Sequence, residues 1–158
     1  HIVHHVKGNI KKNKIIAEAS IIVNATAAQV WKALTTPALI KKYLMGTSVT
    51  SDWKENSPIS YEGTYNGKKY HDKGVIKKMT TDKLFQSTYW SSMGGKEDKP
   101  ENYNLVTYRL DSQGNQTTVT LTQDNVLSEK EKDHVTENWN TVLKKLKEVV
   151  ENPVVASG

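Results

Sequence analysis

The 158-residue chain contains no cysteine, which excludes a disulfide framework, thiol catalysis and thiolate-bound metals. No stretch approaches about 18 consecutive apolar residues, so the sequence predicts no transmembrane helix. The first residues are neither a methionine nor a charged and then apolar signal sequence. We therefore expect either a trimmed chain or a tag remnant at residues 1–6. The absence of cysteine is compatible with a reducing cytoplasm, which is the location we predict.

Arginine is nearly absent as well, although the net charge is +5. Arg109 is the single arginine among the 22 basic residues, and the remaining ones are lysines spread in short pairs. Arginine is the usual bidentate ligand of guanine and phosphate, whereas scattered lysines are typical of a solvated surface. The composition therefore favours no nucleic-acid partner.

The first third of the chain alternates between strand and helix patterns. Apolar and polar residues alternate over Ile15–Val23, which predicts a half-buried strand. Residues 26–29 (TAAQ) form a capping-box pattern that predicts a short helix through about Leu34. Thr36 and Pro37 predict a second helix, which is expected to end at Gly46.

Residues 47–125 have a period of mostly two, which is typical of strands. Asn66-Gly67 is a strong type I′ hairpin signal, because both central positions of that turn need a positive φ. Residues 91–102 contain Gly94-Gly95 and several charges, and they are predicted to form the longest loop. The predicted strands are residues 47–53, 59–65, 70–79, 84–90, 103–110 and 117–123.

The C-terminal segment, residues 128–151, has the apolar period of an amphipathic helix. Ser128 followed by Glu131 predicts its start, and Asn152-Pro153 predicts its end. Most of its apolar stripe is expected to be core, whereas at Trp139 and Leu143 packing and ligand binding are hard to separate. The stripe consists of Val135, Trp139, Val142, Leu143, Leu146, Val149 and Val150.

This order of elements predicts an α+β fold, in which an antiparallel sheet of about six or seven strands packs against the C-terminal helix. Two short helices follow the first strand. We expect one domain over residues 15–151, a flexible segment at residues 1–14 and a tail at residues 152–158.

Six short segments, in chain order, carry a family resemblance. They are residues 30–37 (VWKALTTP), 52–59 (DWKENSPI), 74–76 (GVI), 100–110 (PENYNLVTYRL), 118–123 (TVTLTQ) and 139–146 (WNTVLKKL). Together they resemble the family homologous to the activator of the ninety-kilodalton heat-shock protein ATPase, within the START-like (SRPBCC) superfamily. The resemblance covers about residues 15–151.

This resemblance implies the helix-grip fold, in which a curved sheet holds a long C-terminal helix. Relatives in the superfamily bind lipids, hormones or polyketides between sheet and helix, and some are cyclases or hydrolases. The full-length eukaryotic activators also carry a separate N-terminal domain that stimulates the chaperone. Residues 1–14 are too few to form that domain.

Histidines and acidic residues give no convincing catalytic or metal site. His1, His4 and His5 lie in the segment predicted to be flexible, without converging ligands, so no metal is predicted. His71 and Asp72 are neighbours on a predicted strand and should point to opposite faces, which disfavours an acid–base pair. No nucleophile-elbow or phosphate-binding glycine pattern is present, and no cofactor or catalytic residue is predicted.

The aromatic residues are the more informative set, because a sheet closed by one helix can leave a space between them. Tyrosine and tryptophan suit the lining of such a space, since each combines an apolar ring with one polar group. The alternative is that these side chains fill the space completely. The residues that we predict to line a ligand site are Trp53, Tyr61, Tyr89, Trp90, Trp139 and Leu143.

Three functional hypotheses follow. The first is a START-like module that binds a small hydrophobic molecule between sheet and helix, without catalysis. The second is a co-chaperone-like module of the stress response that binds a chaperone through its lysine-rich surface. The third is a cyclase or hydrolase, which would need a titratable group inside the cavity. The first is preferred, and an enzyme is the least favoured.

Overall fold

The structure is a computed structural model that describes residues 15–152. The predictions for residues 1–14, for the His1, His4 and His5 cluster and for the tail from Pro153 onward lie outside the described residues. Within them, no helix combines the length and the apolar character needed to cross a membrane.

The described residues form seven strands, three α-helices and one short 3₁₀ turn. In chain order they are β1 (Ile15–Val23), α1 (Ala27–Thr35), α2 (Pro37–Tyr43), β2 (Ser48–Ser51), β3 (Pro58–Tyr65), β4 (Lys68–Thr80), β5 (Leu84–Tyr89), the 3₁₀ turn (Pro100–Asn102), β6 (Asn104–Gln113), β7 (Gln116–Val126) and α3 (Glu129–Glu151).

All seven strands belong to one curved antiparallel sheet with the order β1-β7-β6-β5-β4-β3-β2. Helix α3 packs across one face of this sheet, and α1 and α2 lie beside it. The predicted α+β helix-grip fold is therefore confirmed. The capping predictions hold too, since the side chains of Thr26 and Ser128 accept hydrogen bonds from the backbone N–H groups of Gln29 and Glu131.

The hydrophobic core lies under the C-terminal half of α3. Leu143 and Leu146 are completely buried there, and Val149 is nearly so. They meet Val30 of α1 and Val119 of β7, which are also completely buried. The N-terminal half of α3 is less buried, so the helix covers a packed core at one end and leaves room at the other.

The β3–β4 hairpin sets the geometry of the roomier end. Asn66 and Gly67 have φ values of 51° and 79°, as the predicted type I′ turn requires. This turn pairs Tyr65 with Lys68 and Tyr61 with Asp72. Because directly paired residues point to the same face, Tyr61 and Asp72 lie side by side on the inner face.

Several strand boundaries differ from the sequence prediction by one to three residues. Strand β2 ends at Ser51 rather than at residue 53, because Trp53 adopts a left-handed conformation with φ 57° that an extended strand does not accommodate. The β6–β7 hairpin is longer than predicted, since its strands continue to Gln113 and start again at Gln116. Its turn needs only Gly114, with φ 66°, and Asn115.

Candidate ligand cavity under the C-terminal helix

A cavity of about 500 Å³ lies between the N-terminal half of α3 and the inner face of β3, β4 and β5. The turn after α2 and the segment after β5 close its sides. The residues that line it are Leu44, Met45, Thr47, Tyr61, Thr64, Tyr65, Tyr70, Asp72, Tyr89, Ser91, Met93, Gln123, Val135, Asn138, Trp139 and Val142.

The lining changes from exposed at the mouth to buried at the floor. Met45, Tyr65 and Met93 keep 65%, 62% and 45% of their surface exposed, so apolar side chains surround the opening. At the floor Asp72 is only 7% exposed. The cavity therefore leads from an apolar, solvent-accessible rim to a buried carboxylate.

The carboxylate of Asp72 is held by two hydrogen bonds at the cavity floor. The Tyr89 hydroxyl donates to its Oδ2 atom, and the Ser92 backbone N–H donates to its Oδ1 atom at 3.1 Å. His71 lies on the opposite face of β4, where its Nδ1 atom is 3.9 Å from the exposed carboxylate of Glu62. The structure thus separates His71 from Asp72, as the alternation of a strand requires.

The aromatic rings on the floor are packed against one another. The centroids of Tyr61 and Tyr89 are 5.7 Å apart with an edge-to-face angle of 71°. Burial, opposed by a hydrogen bond with Ser87 and reinforced by the Asp72 carboxylate, raises the pKa of Tyr61 to about 12. Burial and then the hydrogen bond to Asp72 raise the pKa of Tyr89 far above its ordinary value. Both hydroxyls therefore stay protonated at neutral pH.

Helix α3 contributes the roof through Trp139. Its indole N–H donates to Oε1 of Gln123 on β7 at 2.8 Å, which ties the helix to the sheet. The ring also packs edge-to-face on the buried Tyr108, with centroids 6.4 Å apart. Since the only indole donor is already used, Trp139 offers a ligand its ring surface rather than a hydrogen bond.

One side wall is formed by Tyr70 on β4. Its hydroxyl is 2.6 Å from Oγ1 of Thr47, just after α2. Its ring lies over Gly63, its direct partner on β3, where a Cβ atom would collide with the phenol. The missing side chain at Gly63 therefore lets the ring fold flat across the hairpin toward Thr47.

The structure brings together three of the six predicted site residues, Tyr61, Tyr89 and Trp139, in the cavity lining. It places the other three elsewhere. Trp53, whose backbone is left-handed, is partly buried and packs against the core on Phe85, with ring centroids 6.2 Å apart.

Trp90 and Leu143 are also outside the lining. Trp90 lies just beyond β5, where its ring stacks on Tyr103 and its indole N–H donates to the carbonyl oxygens of Lys96 and Glu97. Leu143 is completely buried in the core, and its neighbour Val142 lines the cavity instead. Val142 and Val135 were both expected in the core, and both line the cavity.

Asp72 and Tyr70 are lining residues that the sequence interpretation did not select as ligand contacts. The sequence feature that indicates the position of both residues is the Asn66-Gly67 turn. A two-residue loop determines which β4 residue lies opposite each β3 residue, Tyr61 included. Among residues 15–152, no Lys, Arg or His side chain lines the cavity. In residues 15–152, no group of three or more His, Cys, Asp or Glu side chains is arranged to hold a metal ion.

Comparison with known proteins gives a family match and a set of similar structures. The family model described as "Activator of Hsp90 ATPase homolog 1-like protein" matches residues 24–151. The solution structure of ChR145 from Cytophaga hutchinsonii is 44% identical, with a TM-score of 0.78 over 90% of this chain and 97% of that one. Among curated proteins no match is found.

Two more distant structures show the same fold. The Aha1 dimer from Colwellia psychrerythraea is 20% identical, with a TM-score of 0.70 over 87% of this chain and 97% of that one. MLL2253 from Mesorhizobium loti is 15% identical, with a TM-score of 0.70 over 88% of this chain and 97% of that one. At such identities the likeness concerns the fold alone.

Proposed function

Because the chain belongs to the family of Activator of Hsp90 ATPase homolog 1-like proteins, in the START-like superfamily, we propose that it binds a small hydrophobic molecule in the cavity under α3. The observation that carries this proposal is the cavity itself. Its volume of about 500 Å³ lies within the range of small-molecule sites, about 300–1,000 Å³. Its lining is mostly apolar or aromatic, with a few polar groups at fixed places.

Binding would come mainly from the removal of apolar surface from water. Tyr61, Tyr89 and Trp139 supply rigid rings that lose little conformational freedom when a ligand covers them. Packing and hydrogen bonds already hold these rings in place, so the site is largely formed before the ligand arrives. The mouth at Met45 and Met93 adds flexible apolar side chains that adapt to ligands of different shape.

A pair of substitutions on α3 tests the location of the site. Asn138 lines the cavity and Asn140 does not, while both are exposed on the same helix. We expect Asn138→Trp to occupy the mouth and weaken binding of a hydrophobic probe such as 8-anilinonaphthalene-1-sulfonate by about tenfold or more. The matched variant Asn140→Trp should bind the probe like the unmodified protein.

Native mass spectrometry of the freshly purified protein is a second test of the ligand site. We expect a retained small molecule whose occupancy falls in Asn138→Trp and not in Asn140→Trp. Equal probe affinity in both variants, together with no retained molecule in either, would contradict a ligand site in this cavity.

The family match favours a second candidate function, that of a co-chaperone-like module in the stress response. The chaperone would contact its lysine-rich surface, since the net charge is +5. The measurement is the ATPase rate of Hsp90 with and without this protein, and its capture by Hsp90 at low and at high salt. Capture that weakens as salt rises is the expected result. No capture at low salt would count against this function.

We propose a cytoplasmic location for either function, which the absence of cysteine supports.

A further inference from the structure

We infer that the ligand of this cavity carries a protonated amine on an apolar chain. This inference rests on the proposed ligand-binding function and goes further by naming the ligand class. It depends on three features of the described cavity: a buried carboxylate with free acceptor capacity, aromatic rings around it, and the absence of cationic side chains from the lining.

The first feature is the incomplete pairing of Asp72. A carboxylate has about four acceptor positions on its two oxygens, and the Tyr89 hydroxyl and the Ser92 N–H occupy two of them. None of the salt bridges formed by residues 15–152 involves Asp72. A buried carboxylate is costly unless a cation is paired with it. An ammonium group inserted from the cavity would supply both the charge and the missing N–H donors.

The second feature is the set of rings that surrounds the carboxylate. Tyr61 and Tyr89 lie beside Asp72 on the floor, Tyr70 forms a wall and Trp139 forms the roof. A cation near aromatic faces is attracted by their negative potential, and the attraction is strongest where water is excluded. The rings and the carboxylate thus favour the same charge on a ligand head group.

The third feature excludes the opposite charge. A fatty acid would bring its carboxylate next to Asp72, and none of the described residues of the lining is a Lys, Arg or His that could compensate its charge. The hydroxyls of Tyr61 and Tyr89 also remain neutral at physiological pH. The apolar chain of an amine would extend toward Met45 and Met93 at the mouth, where its methylene groups leave water.

Three probes that share one alkyl chain test the inference on the unmodified protein: decylammonium and decanoate, each below its critical micelle concentration, and 1-decanol below its solubility limit. Titration calorimetry should show decylammonium binding at least about tenfold more tightly than 1-decanol, with decanoate the weakest. Equal or tighter binding of 1-decanol or decanoate would overturn the amine inference and leave the hydrophobic-ligand function standing. Failure of all three to bind would instead count against both.

Two substitutions connect the preference to the carboxylate. Asp72→Asn keeps the shape of the side chain and removes its charge, so decylammonium affinity should fall about tenfold while 1-decanol affinity stays within about threefold. Asp111→Asn removes an exposed carboxylate on β6 and is the matched control, with no expected effect. An unchanged preference for decylammonium in a folded Asp72→Asn protein would overturn the role of Asp72. If Asp72→Asn fails to fold, the comparison of the three probes on the unmodified protein still tests whether the ligand is an amine.

Discussion

Gly63 on β3 and Gly74 on β4 lie in two of the strands that form the cavity floor, and each faces a group that leaves no room for a Cβ atom. At Gly74 the obstacle is the backbone carbonyl of Thr88 on β5. Near Gly74 the pairing of β4 with β3 ends and its pairing with β5 begins. An isolated backbone bridge between Lys73 and Trp90 lies beside this point. At Gly63 the obstacle is the Tyr70 phenol, the end of a side chain that can move.

We predict that Gly74→Ala destabilises the protein by about 3 kcal/mol or more, because a backbone carbonyl cannot move aside without breaking the sheet pairing. Gly63→Ala is the matched control and should cost about 1 kcal/mol, since Tyr70 can rotate away. Urea denaturation measures both values. An equal loss of stability in the two variants would contradict the contact that we assign between position 74 and the Thr88 carbonyl.

At the scale of elements, the β3–β4 hairpin shows how far the sequence predicts the site. The Asn66-Gly67 turn predicts a two-residue loop, and counting back from it pairs Tyr61 with Asp72. The alternation of β4 then places Asp72 on the inner face and His71 on the outer face. The sequence thus contained the information that joins the carboxylate to the tyrosine floor.

The remaining site residues depend on tertiary packing that no periodicity encodes. Val142 and Leu143 are neighbours about 100° apart on α3, and both belong to its apolar stripe. Only the position of the helix over the sheet decides that Val142 lines the cavity and Leu143 enters the core. Trp53 likewise follows a local backbone turn with positive φ, which an alternating strand pattern does not indicate.

The C-terminal end of α3 is anchored to β1 through one carboxylate. Glu151 Oε2 accepts from the backbone N–H of Asn24 and from the ammonium of Lys147, both at 2.6 Å. The same ammonium donates to the carbonyl oxygen of Ile22 at 2.8 Å. Partial burial raises the pKa of Glu151, but the hydrogen bonds from Lys147 and Asn24 outweigh it, so the pKa is lowered overall.

We predict that Glu151→Gln lowers the free energy of unfolding by about 1 kcal/mol at neutral pH, because the anchor is partly solvated. A lowered native pKa stabilises the fold above the unfolded pKa of about 4.3, and this contribution is lost as the pH falls through the native value. The difference between the two proteins should therefore shrink in acid. Urea denaturation from neutral to acidic pH measures it.

Glu148→Gln, on the same helix, is the control for that anchor. Glu148 is exposed and makes no salt bridge among residues 15–152, so its substitution should cost less at neutral pH. A difference for Glu151→Gln that grows in acid would contradict the assignment.

At the scale of the whole molecule, α3 divides the interior into two parts. Leu143, Leu146 and Val149 close a packed core at one end. Val135 and Trp139 instead cover a cavity of about 500 Å³, where apolar and aromatic surface lacks packing partners. A molecule that enters the cavity supplies those contacts only when sheet and helix are assembled. If the protein binds a ligand there, as we propose, ligand binding and folding are therefore linked.

This linkage predicts the effect of ligand on thermal stability. A ligand that binds the native state alone adds about 2.7 kcal/mol at a free concentration of about 100 times its Kd. For a domain of this size each kcal/mol raises the Tm by about 2–4 °C, so saturating decylammonium should raise it by about 5–10 °C. Differential scanning calorimetry measures the shift, and Asn138→Trp should show a smaller one at the same concentration.

A Tm that does not change for the unmodified protein, at a concentration where calorimetric titration shows saturation, would mean that the amine binds the unfolded chain equally well. Such binding cannot depend on a cavity that exists only beneath the assembled α3.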